Sequence, residues 1–165
     1  MAASTIQSLL FSSCSVLMSF LFAYSASVQL NDPDWYFWFP LYAIAFVVNL
    51  FQVSFTSKLL GQVALLALWG GILLLLKVIV EDSTYGLAGF WSLDMEERVV
   101  REKIGSGLVV ISMILHLKSS QVSTEPKRKR QHDSRFALTG MAILVAMSYG
   151  LSLYFFAFVK EHMIY

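Results

Sequence analysis

The chain has 165 residues, 57% of them hydrophobic and 14% charged, with a formal net charge of +1 and a mean hydropathy of +0.65. Soluble globular domains carry about 25% charged residues, and so short a chain cannot bury several apolar runs close to the ~18–20 residues that cross a bilayer. A soluble globular protein is thereby excluded, and the expectation is an all-α polytopic transmembrane helical bundle, one membrane domain over residues 1–165.

The first apolar run is Ile6–Val28, broken only by Gln7 and hydroxyl side chains. Ser8, Ser12, Ser13, Ser15 and Ser19 can return their hydroxyls to carbonyls of the preceding turn, so they do not bar insertion. Their small size also favours close helix contact. The rival reading is a signal peptide ending near Ala26 and Ser27, which would leave four spans. The length of the run and the lack of a preceding basic residue favour retention. Cys14, the lone cysteine, lies in this run and permits no intrachain disulfide.

Next comes Gln29–Trp38, QLNDPDWYFW. Pro33 fixes its own φ and disfavours helical geometry at Asp32. Asn31, Asp32 and Asp34 suit a turn whose side chains bond to its own backbone. Trp35, Tyr36 and Trp38 suit the headgroup layer. The stretch reads as a tight turn at a membrane surface. Gln29, Asn31, Asp32 and Asp34 are its candidate polar lock or ligand residues.

The second span is expected over 39–57. Asn49 and Gln52 lie three apart, share a face, and should point at protein because amides in hydrocarbon need partners. The third span is expected over 59–80. Gly70 and Gly71 offer a thin waist or a bend, Trp69 is expected as a packed ring, and Lys77 can snorkel to the surface. A link follows, with Tyr85, Phe90 and Trp91 suited to the membrane surface.

The apolar segment Ile104–Leu117 covers only ~21 Å of a ~30 Å hydrocarbon core. The fourth span therefore has to begin near Met95 and runs over 95–117. Its opening turns carry a charged collar. Glu97 with Arg101, and Arg98 with Glu102, are spaced for pairing. Gly105, Ser106 and Gly107 allow a neighbouring helix to approach just below. His116 falls near the opposite end and is expected as an interfacial or packed histidine. The basic link 118–135 holds Lys127, Arg128, Lys129 and Arg130, which suit anionic headgroups; nucleic acid is not expected in this setting. The fifth span is expected over 136–159.

Acids outnumber bases six to three between Glu81 and Lys103, whereas bases outnumber acids six to two between Lys118 and Arg135. The basic excess favours the cytoplasm. Five spans then put the N-terminus and the basic link there, with the acidic links and the C-terminus on the other face.

VQLNDPDW at 28–35, with Tyr42 one helical step into the second helix, and EERVVREKIGSGLVVI at 96–111 resemble the transmembrane protein 220 family. The resemblance covers most of Ile6–Ser120. Trp35 stands where the family often has a further proline. The resemblance implies a small multi-helix membrane protein without an established activity, and it supplies no catalytic residue.

With no nucleotide-binding glycine motif and no cysteine–histidine cluster, no cofactor is expected. The leading functional expectation is a membrane scaffold or accessory subunit, in which Asp32 or Asp34 pairs with Arg98 or Arg101. Its partners would be membrane lipids and a membrane protein or a second copy of the chain. The alternative is a small transporter or lipid- or ion-binding protein using the same charges. Third is a metal-assisted membrane enzyme, with oxygen ligands from Asp32, Asp34, Glu96, Glu97 and Glu102.

Overall fold

A computed structural model of the chain describes residues 2–51, 58–85, 98–121 and 127–154. It contains five helices, α1 (Ala2–Gln29), α2 (Trp35–Phe51), α3 (Lys58–Tyr85), α4 (Arg98–Gln121) and α5 (Lys127–Tyr154), and no strand among the described residues. Three stretches, Thr5–Gln29, Lys58–Thr84 and His132–Leu153, are long and apolar enough to cross a membrane, and Trp35–Phe51 is a shorter apolar helix. The protein is a polytopic helical membrane bundle.

Local chemistry explains where the helices form and stop. Ser13, Ser15 and Ser19 donate to the carbonyls of Leu9, Phe11 and Val16, which keeps α1 unbroken through a serine-rich run. The turn after α1 is built from overlapping backbone bonds, Asp32 N to Gln29 O and Trp35 N to Asp32 O. Pro33 sits between them and has no N–H to offer. Helix α2 starts directly after Asp34, whose carbonyl accepts from Phe37 N at 3.1 Å. Its start is thus nearer the turn than expected. Residues 127–135, expected in the basic link, are instead the opening turns of α5.

The helices pack in a closed ring in chain order, α5 returning to α1, with α2 also touching α4 across the middle. Small residues set the closest approaches. A methyl group at Gly70 would sit 3.6 Å from Leu41 of α2, and one at Gly71 would sit 3.0 Å from Val110 of α4. The glycine pair therefore lets α3 close on both neighbours, and the thin-waist use is the one realised. Trp69 is on the other side of the helix. It is 59% exposed in a stripe with Leu66, Leu73 and Val80, so the expected packed ring faces outward. Trp38 reverses its expectation too. It is fully buried and stacks on Tyr42, which stacks on Phe22 of α1. Trp35 and Tyr36 remain exposed.

Candidate functional site

Two polar clusters are embedded between the helices, one at each end of the α2–α4 contact. The first is organised by Asp34. Its carboxylate Oδ2 accepts from the indole N–H of Trp38 at 3.2 Å. The same oxygen lies 3.4 Å from Lys77 Nζ of α3 and 3.5 Å from Arg98 Nη2 of α4. One carboxylate at the end of the turn thus touches three helices. The local sequence explains why it points there. Asp34 immediately precedes α2, and Trp38 is one turn on, so the indole reaches back to the acid.

Both cations are shared. Lys77 is also 3.4 Å from Glu81, four residues along its own helix. Arg98 turns its Nε toward Glu102 Oε1 at 3.1 Å. Among the described residues of this cluster Glu102 is the most buried, with a side chain 1% exposed against 34% for Arg98. Neither of its oxygens has a hydrogen bond of good geometry, and Asp34 Oδ1 and Gln29 Oε1 share that condition. Arg98 offsets the charge of Glu102 at contact distance without aligning a bond to it. Beside this pair, Lys103 reaches Asp82 of α3 at 2.6 Å. Tyr42 puts its hydroxyl against Gly105, one turn past Glu102, where even a methyl group would overlap it.

Asp34 itself lies outside the spans, and opposing effects act on its carboxyl. Burial disfavours the charged form. The Trp38 bond, the Arg98 charge and the Lys77 contact together outweigh burial and hold the carboxyl below its ordinary value.

The expected site residues divide as follows. Asp34, Arg98 and Glu102 come together. Asp32 takes part in two of the backbone bonds of the turn, Asn31 is exposed, and Gln29 is buried at the end of α1. Arg101 is exposed on α4. Glu96, Glu97 and Gln52 lie outside the described residues, as do the side chains of Lys127, Arg128, Lys129 and Arg130. From the sequence Lys77 is expected only to snorkel to the surface. Its position one turn before Glu81 was the available signal that it belongs to a charged mouth.

The second cluster surrounds Asn49, which is fully buried. Its Nδ2 donates to Ala45 O at 2.8 Å. That fixes Oδ1 as the acceptor for Ser112 Oγ at 3.1 Å and for His116 Nε2 at 2.8 Å. His116 is therefore the Nε2–H tautomer, donating to the amide oxygen. Its Nδ1 is buried without a partner, and Phe11 of α1 meets its ring edge-on at 5.4 Å. His116 is packed, as one of its two expected settings had it, and it also completes a polar network that sequence reasoning missed. Ser112 and His116 are four apart on α4, which was the signal available.

Among the described residues, no three of His, Cys, Asp and Glu converge in a way that could hold a metal ion. The model of transmembrane family 220 matches residues 21–118. No solved structure matches the chain. The matched segment runs from the second half of α1 to Lys118 on α4, so it takes in both clusters.

Proposed function

The chain belongs to transmembrane family 220, and from that premise we propose that it is a membrane scaffold or accessory subunit whose acidic turn is locked to the bundle. The observation that carries this reading is the single Asp34 carboxylate in contact with Trp38, Lys77 and Arg98 on three helices. Such a joint fixes the turn and the mouths of α2, α3 and α4 as one rigid surface. Each of its bases is shared between two acids on neighbouring turns or helices, which suits a structural joint better than an open ligand site.

In this reading all five helices span. The N-terminus of α1 and the basic link face the cytoplasm, and Asp34 and the C-terminus face the other side. The basic residues 127–130 meet anionic headgroups, and a membrane protein or second copy binds the rigid mouth. Cysteine labelling at Ser123 and Asp34 variants, with Cys14 replaced, tests the orientation; labelling of both from one side would reject it. The role is tested by affinity capture from mild detergent. Wild-type protein should retain a stoichiometric membrane partner, and Asp34→Asn with Arg98→Gln should release it. Retention by the double variant, or no stoichiometric partner at all, would reject the scaffold role.

A second reading, ion or proton handling, draws on one observation: the buried Glu102 carboxylate without a well-aligned bond. An ionisable side chain in a membrane interior is a functional candidate in its own right. Ion or proton flux in reconstituted liposomes, lost in Glu102→Gln, would favour it over the scaffold.

A further inference from the structure

A lateral groove of about 460 Å³ opens between the N-terminal half of α1 and the middle of α5. Small side chains create it. Cys14 on α1 and Thr139, Ala142 and Ala146 on α5 line it, with Leu10 along one wall. Ala142 and Ala146 are exposed, so the groove faces the surroundings of the bundle, which in a bilayer are acyl chains.

Its two ends differ chemically. At one end stands Arg135, exposed and one turn before Leu138 and Thr139 on the same stripe of α5. Lys118 is held beside that level, its Nζ 4.5 Å over the Phe136 ring. At the other end, one turn past Ala146 and Cys14, the Tyr149 hydroxyl donates to the Leu17 carbonyl at 2.9 Å. That bond ties α5 to α1 and closes the groove. From Arg135 to Ala146 the helix rises ~16 Å, about half of a ~30 Å hydrocarbon core. The lined slot, Leu138 to Ala146, takes up ~12 Å of that rise; Arg135 stands one turn beyond it, and the Tyr149 bridge bolts its inner end.

We propose that this groove holds an acyl chain of an anionic phospholipid whose headgroup meets Arg135. The depth fits a lipid rather than a helix. A partner helix is about 10–12 Å across with its side chains and would continue past the Tyr149 bridge. The positive surface end selects the sign of the headgroup. This inference goes beyond the scaffold reading and does not depend on it.

The test is native mass spectrometry of the delipidated full chain with phosphatidylserine or phosphatidylcholine of matched acyl chains. Wild type should retain one phosphatidylserine, preferred about fivefold, as one basic side chain near an anionic headgroup provides. Ala142→Phe should lose the bound lipid. Arg135→Gln should keep one lipid and lose the preference. Ala146→Phe serves as a second groove-filling variant, and circular dichroism checks the helices of each. Equal retention of the two lipids by wild type would overturn the proposal. So would unchanged phosphatidylserine binding in both Phe variants. A wild-type dimer made monomeric by Ala142→Phe, with lipid binding unchanged, would also overturn it and give the groove to a second copy.

Discussion

Replacing Arg98 by Gln should be the most damaging single change in the Asp34 cluster. Arg98 is the shared counter-charge of Asp34 at 3.5 Å and Glu102 at 3.1 Å. Its removal leaves the Glu102 carboxylate buried next to a second acid. Breaking a buried ion pair by removing one partner costs roughly 3–5 kcal/mol. Arg98 is itself about one-third exposed, and Lys77 still faces Asp34, so the expected cost is reduced to roughly 2–3 kcal/mol. Glu102→Gln should behave oppositely. It removes the buried charge, leaves Arg98 on Asp34, and should cost about 0–1 kcal/mol. Asp34→Asn leaves Arg98 on Glu102 and Lys77 on Glu81, and should cost about 1 kcal/mol. The double variant Arg98→Gln with Glu102→Gln should be more stable than Arg98→Gln alone, with a coupling of about 1–2 kcal/mol. Equilibrium unfolding in mixed detergent, followed by circular dichroism, measures each corner of the cycle. Equal costs for Arg98→Gln and Glu102→Gln, with coupling below about 0.5 kcal/mol, would refute the reasoning.

Acid should weaken the same joint. The carboxyl of Asp34 is held below its ordinary value, so its contribution is complete above about pH 4 and is lost as pH falls through the lower folded value; a pH series of unfolding curves should show this acid limb in wild type and a shallower one in Asp34→Asn. Gly105→Ala should destabilise by about 1–3 kcal/mol, because the added methyl overlaps the Tyr42 hydroxyl, and Tyr42→Phe should recover part of the loss. Gly107 has open space at the same position, so Gly107→Ala should lose nothing in the same unfolding assay. Asn49→Leu should cost about 1–3 kcal/mol by stripping the buried Ser112 and His116 of their acceptor, whereas Ser112→Ala, which removes one donor and leaves the acceptor to His116, should cost less in the same unfolding assay.

Several features were legible in the sequence because their causes are local. Apolar runs specify helices in lipid, where every backbone group must be paired within the segment. Pro33 between two acids specifies the turn. The spacing of Arg98 and Glu102 specifies their contact at 3.1 Å. What the helices face was not legible. Water separates buried from exposed side chains by polarity, but lipid tails are as apolar as a bundle interior, so hydropathy does not assign the inner side of a spanning helix. Trp38 and Trp69 show the consequence: the first is fully buried and the second mostly exposed. Gly70 and Gly71 decided that outcome by letting α2 and α4 come close on their side of α3. The same packing brought Lys77 to Asp34 and His116 to Asn49, pairs 43 and 67 residues apart in the chain. Only the order and closeness of the packed helices supply those partners.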